Sequence, residues 1–203
     1  MSSTDDYGSP PEVYGPCLEV VSLPAFDLDP CSHVRADGSH PVPARKVYTL
    51  ADPWPATGGK RKVSVKPWTR AELAARGIVC DGRRPVAWLN PPYSQPEGWA
   101  RAAAEAAEDS PTEPAAGVVT FALVRLSVGC GWWREYMARF WAVALSSRLA
   151  FITLEGKPSG TNAMFDCALV VCSGFSRQLA DRLATRHKLG QLIAPAGYRP
   201  PAC

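Results

Sequence analysis

Short apolar runs separated by turn residues dominate the chain, and strand-like runs alternate with helix-like ones. PVAWL (85–89), GVVTFALV (117–124) and FDCALVVC (165–172) are nearly unbroken apolar stretches. Runs of that length predict strands buried on both faces, as in a parallel sheet. AFDLDPCS (25–32) alternates apolar and acidic positions and then meets Pro30, which predicts a strand end entering a loop. AVALSS (142–147) and AFITL (150–154), on either side of Arg148, predict two further short strands.

Helical patterns lie between these runs. SQPEGWARAAAEAAED (94–109) places Ser94 and Glu97 at capping-box spacing ahead of an alanine-rich run. TRAELAARG (69–77) repeats the device with Thr69 and Glu72 and ends at Gly77. GWWREYMARF (131–140) and SRQLADRLATRHKL (176–189) predict two more helices. SPPEVYGPCLEVV (9–21) predicts a short helix opened by proline and interrupted at Gly15-Pro16. This alternation predicts an α/β fold: one domain, a mostly parallel sheet, helices on both faces.

Residues 33–69 break the rhythm. They are rich in Pro, Gly and basic side chains, and only 63–65 suggests a strand. We therefore expect one domain over 9–193 with a basic insertion at about 33–69, a disordered stretch at 1–8 and a loose Pro-rich tail at 194–203. A chain of 203 residues is long enough for one substantial core. The overall charge of +3 is unevenly spread: residues 33–84 hold eleven Lys or Arg against four acids, +7, which leaves −4 for the rest. A basic segment between acidic flanks suits a polyanion, although a solvated basic loop has the same composition.

Seven cysteines, with no Cys-x-x-Cys and no zinc spacing to the three histidines, predict reduced thiols and no metal. No run of eighteen apolar residues suggests a membrane span, and the acidic start MSSTDDYGSPPEVYG does not resemble a signal peptide. The expected compartment is the cytoplasm.

The candidate chemistry sits where the strand 85–89 delivers Asn90-Pro91-Pro92-Tyr93. Paired prolines continue neither sheet nor helix, so the chain leaves the strand in a stiff extended turn. An exocyclic amine such as adenine N6 has its lone pair delocalised into the ring. Two acceptors against its N–H groups favour a geometry in which that lone pair meets an electrophile. The Asn90 side-chain oxygen and the Pro91 carbonyl supply such a pair, with Pro92 fixing the turn. Tyr93 offers a face on which a base stacks, worth about 1–3 kcal/mol. Positioned acceptors of this kind act through orientation and preorganised electrostatics.

The Asn-Pro-Pro-Tyr tetrapeptide is the signature of amino-group methyltransferases that use S-adenosylmethionine. The wider pattern resembles the phage-type DNA N6-adenine methyltransferases, the Dam-like family of phages and prophages. SPPEV (9–13), FDLDPCS (26–32), WLNPPYSQPEGW (88–99), LVRLSVGCGWW (123–133) and SRLAFI (147–152) match in order, followed by an apolar strand ending at Cys172. The resemblance spans roughly residues 9–173. It implies a Rossmann-like, S-adenosylmethionine-dependent fold and transfer of a methyl group to an adenine flipped out of double-stranded DNA in a host cytoplasm. It also implies that Ser9 and Pro10 meet the methionine end of the cofactor. The family's Asp-Gly-Leu element is replaced by Asp81-Gly82, with Asp52 as its rival, and the first-strand motif lacks Gly-x-Gly.

Given that cofactor, Asp27 and Asp29 are placed to accept from its ammonium or hydroxyls, with Pro30, Cys31 and Ser32 beyond them, and Asp81 as a further acceptor. Asp29 is the stronger candidate, at the strand's carboxyl end, where open α/β sheets bind ligands. On the DNA side we expect phosphate contacts from Lys60, Arg61 and Lys62. Ser94, Arg125 and Arg148 are the remaining substrate-side candidates. Trp132 and Trp133 are expected in the core. Two alternatives share these residues: methylation of a protein glutamine or RNA adenine, and a non-catalytic DNA-binding relative.

Overall fold

A computed structural model describes residues 8–35, 37–49, 51–59, 62–80, 82–108 and 117–199, apart from the side chains of residues 58, 59, 62 and 63. Its centre is a seven-stranded sheet in the order β2-β1-β5-β6-β8-β7-β9. The strands are β1 (Phe26–Ser32), β2 (Ala44–Thr49), β5 (Val86–Leu89), β6 (Val119–Arg125), β7 (Ala142–Leu145), β8 (Cys167–Cys172) and β9 (Gly190–Ile193). β2, β1, β5 and β6 are mutually parallel, β8 is antiparallel to both β6 and β7, and β9 is antiparallel to β7, so five of seven strands run one way. The expected mostly parallel α/β sheet is therefore present.

Both faces are covered. On one lie helix α2 (Arg70–Ala74), helix α3 (Pro96–Ala107), the hairpin of β3 (Ala56–Gly59) and β4 (Lys62–Val65), and a π-helical turn, Trp133–Met137. On the other, α1 (Pro11–Val21) packs beside α4 (Ser176–Thr185). β5 and β8 are buried along their whole length, as unbroken apolar runs require, and β1 is equally buried although Asp27 and Asp29 interrupt its run. α3 turns six alanines inward together with Trp99, so a slim helix lies close against the sheet. Trp68 on the same face donates its indole N–H to Thr120 Oγ1 of β6 at 3.0 Å.

Several local expectations change. α1 runs through Pro16 without a break, because its buried Val13, Cys17 and Val20 hold it against the core and outweigh one missing hydrogen bond. At α3 the cap position is Gln95 rather than Ser94, its N–H reaching Pro92 O at 3.2 Å, and Pro96 opens the helix. Thr69 does cap α2, accepting from Glu72 N at 3.2 Å. AFITL forms no strand of its own; Ile152 only bridges Gly8 and Pro158. The 33–69 region supplies edge strand β2 and the β3–β4 hairpin, and so is part of the sheet structure rather than a loop alone. The tail after 193 is docked as far as Arg199: Ala196 N–H reaches Ala138 O at 2.7 Å, and the Tyr198 ring lies 4.9 Å from that of Trp141. Gly190 opens β9 because a Cβ there would sit 1.8 Å from Ala144 O. No helix among the described residues is long and apolar enough to cross a membrane.

Candidate active site

Strand order reverses between β1 and β5: the chain passes from β1 to β2 on one side and from β5 to β6 on the other. Such a reversal leaves a crevice at the carboxyl ends of the strands, the usual ligand site of open α/β sheets. Leu28 pairs with Ala87, and Leu89 with Ala122, so Ser32, Asn90 and Arg125 all leave the sheet at that end.

On β1 the crevice wall is made by a bulge. Pairing with β2 shifts register between Asp29 and Ser32, at Pro30, which has no N–H for the ladder. The bend turns the Cys31 N–H back onto Asp29 Oδ1 at 3.2 Å. Asp29 is 2% exposed, and Cys31 and Ser32 beside it are buried. Burial pushes the Asp29 carboxyl up to about 7, against the bonds from Cys31 N–H and the Ser32 hydroxyl, which pull it down. A buried acid whose partners among the described residues are the neutral Cys31 N–H and Ser32 hydroxyl is suited to a donor from a ligand.

Asp27, expected as a ligand acceptor, has its carboxylate engaged within the protein. Its carboxylate takes a two-pronged bond from Arg83, at 2.6 and 2.7 Å, and the Val86 N–H at 2.9 Å. Arg45 lies 3.5 Å away. Burial pushes the carboxyl up, but the bonds from Arg83 and Val86 and the Arg83 charge outweigh it and hold Asp27 below the usual range. It ties β1 to the start of β5, at the end of the strand away from the crevice.

On β5, Asn90, Pro91 and Pro92 are buried. The Tyr93 hydroxyl donates to Asn90 Oδ1 at 3.1 Å and also bonds the Cys167 thiol. The Tyr93 ring is braced edge-on by Phe165 at 5.1 Å and Phe151 at 5.8 Å. The turn thus fixes the amide from two directions, through its prolines and through the phenol. Neither Phe151 nor Phe165 carried a sequence signal, because they lie 58 and 72 residues from Tyr93.

Trp88, two residues before Asn90, donates its indole N–H to Ser9 Oγ at 2.9 Å. Gly8 exchanges backbone bonds with Ile152 at 2.7 and 2.9 Å. Ser9 and Pro10 are therefore strapped beside β5, Ser9 being buried.

A cleft of 380 Å³ opens on the Tyr93 ring, bounded by Arg125, Ser127, Cys130 and Trp132 among others. That volume lies within the range of small-ligand pockets. The Arg125 guanidinium stands 5.4 Å from the Phe165 ring centre. The π-helical turn separates two neighbouring tryptophans: Ala138 N–H reaches Trp133 O at 2.8 Å, Trp133 is 4% exposed in the core, and Trp132 is half-buried on the cleft. Trp133 matches its expected place; Trp132 packs against the same core while also lining the cleft.

Arg148 lies outside this cleft's lining and pairs with Asp166 at 3.3 Å on the surface. Ser94 is exposed just past Tyr93. Lys60, Arg61 and Asp81 lie outside the described residues, as does the side chain of Lys62 in β4. Comparison of the chain with protein-family models, curated proteins and solved structures finds no match.

Proposed function

We propose that the protein transfers a methyl group from S-adenosylmethionine to the exocyclic amine of an adenine extruded from duplex DNA. One observation carries the reading: a rigid Asn-Pro-Pro-Tyr turn, its amide held by the Tyr93 hydroxyl, stands at the switch point of an α/β sheet beside the buried Asp29 carboxylate.

The residues present fit the cofactor. Asp29 would accept from an ammonium or ribose hydroxyl, and Ser9 keeps a hydroxyl proton to donate while accepting from Trp88. Bound S-adenosylmethionine would supply an electrophilic methyl on a positively charged sulfur. The chain's own contribution is positional. Asn90 Oδ1 carries two lone pairs, and the Tyr93 hydroxyl, which holds the amide in place, uses one of them. Asn90 and the Pro91 carbonyl together aim the nitrogen lone pair and stabilise the positive charge that grows on nitrogen. The cleft between Tyr93 and Trp132 takes the flat base, with Arg125 and Ser127 at its edge. Duplex DNA yields such a base only by flipping it out.

Two results test this site. Asp29→Asn should abolish binding of S-adenosylmethionine, read by titration calorimetry, yet raise the melting temperature above pH 7. The sign follows from the raised folded pKa: between the ordinary carboxylate value and about 7 the folded state holds the extra proton, so rising pH costs wild-type stability across that window. The variant removes this loss. A lower melting temperature at pH 8 would count against Asp29 as a strained ligand acceptor. Separately, Trp132→Ala should lower kcat/KM by roughly ten- to a hundred-fold, the worth of one base stack, with an unchanged melting temperature. Trp133→Ala should act on melting temperature. The reverse pattern would remove Trp132 from the base site.

A further inference from the structure

We propose that Met164 is the wedge that enters the base stack of duplex DNA when the target base is drawn beside Tyr93; this rests on the proposed function above. Met164 is 89% exposed, more than the other exposed large apolar side chains among the described residues. A single exposed apolar side chain is ordinary. Its setting distinguishes this one.

Met164 borders a second cleft on the Tyr93 ring, 160 Å³ in volume, with Ser159, Thr161 and Asn162. The next residue, Phe165, both braces Tyr93 and carries the Arg125 guanidinium. Met164 therefore projects from the rim of the turn that would hold the base. The loop that carries it is braced. Ser159 N–H reaches Phe151 O and Ala163 N–H reaches Leu149 O, each at 2.8 Å, while Ser159 Oγ donates to Thr161 O at 2.7 Å. Ile152 in turn bridges both Pro158 and Gly8. A side chain held out by a cross-linked loop is presented, not left over.

The occupant follows from charge and shape. Arg148 and Lys157 flank the loop, both exposed. Arg148 pairs with Asp166 in the open, where an ion pair is worth little, and a phosphate can take over its guanidinium. Extruding a base leaves a gap between its neighbours, and architectural proteins fill such gaps with Phe, Leu, Ile, Met or Pro. An unbranched thioether adapts to an irregular gap.

The test uses the full chain and a duplex carrying 2-aminopurine at the target position, once sequencing of host DNA has located the methylated adenine. Wild type should raise the 2-aminopurine fluorescence on binding. Met164→Ala should lose most of that rise and at least about tenfold in kcat/KM on paired DNA, with an unchanged melting temperature. Met164→Leu should keep both, because an apolar wedge of similar size remains. A target opposite an abasic site should restore much of the Ala variant's activity, since no base pair has to be broken to extrude it. Wild-type fluorescence and activity in Met164→Ala, or an equal loss on paired and abasic substrates, would overturn the wedge while leaving the methyltransferase reading intact. Absence of methylated adenine from host DNA would overturn both.

Discussion

Asn90→Ala should leave S-adenosylmethionine affinity near the parent value and cut methyl transfer by about 10²–10³-fold or more, the usual cost of removing one preorganised hydrogen-bonding group from a reacting centre. In the proposed reading Asn90 faces the amine while Asp29 and Ser9 face the cofactor, so binding and chemistry separate. The fold should tolerate the change. The Tyr93 hydroxyl keeps its bond to Cys167 and the ring keeps both phenylalanine braces, so the turn retains its shape without the amide. The loss should therefore fall on kcat, with little change in KM for DNA, because only an interaction made in the transition state has been removed. Single-turnover assays with saturating cofactor and DNA read that step directly. A variant that turns over near the parental rate would remove Asn90 from the chemistry.

Asp27→Ala should be the most damaging change to stability among those considered. Asp27 is fully buried, and its removal strands the Arg83 guanidinium and the Val86 N–H at the seam of β1 and β5. Breaking a buried pair by removing one partner costs about 3–5 kcal/mol; because Arg83 is 32% exposed and water reaches its far side, the lower end applies. In a domain of this size that corresponds to a melting temperature lower by roughly 10 °C. pH provides a second signature. The folded pKa of Asp27 is lowered, so its stabilisation is present above the ordinary carboxylate range and disappears as pH falls through the folded value. The variant should show a flatter acid limb in a plot of stability against pH. An unchanged melting temperature would mean that the lock contributes nothing.

These two aspartates show where sequence reading reached its limit. Asp27 and Asp29 lie in one strand and differ only by one pleat. What separates them is Arg83, 56 residues away, and a bulge at Pro30. Neither is local information. The buried strands were legible because a strand covered on both faces leaves an unbroken apolar run. β2 and β9 were not, because each pairs along one side only and leaves half its residues in water, so charge and glycine interrupt the pattern. The turn 90–93 was legible because its chemistry lies in four consecutive residues. Its braces, Phe151 and Phe165, come from the connection between β7 and β8, far along the chain. Trp132 and Trp133 could not be told apart by composition; Trp133 is buried in the core, while Trp132 packs on the core's edge and lines the cleft.

The most direct test of the central claim is the N6-methyladenine content of plasmid DNA from a host that lacks its own adenine methylation and expresses this chain, measured by nucleoside mass spectrometry beside the Asn90→Ala variant. The account predicts N6-methyladenine in DNA with the parent chain and none with the variant. DNA free of N6-methyladenine, with the methyl group found instead on RNA or on a protein glutamine, would contradict it.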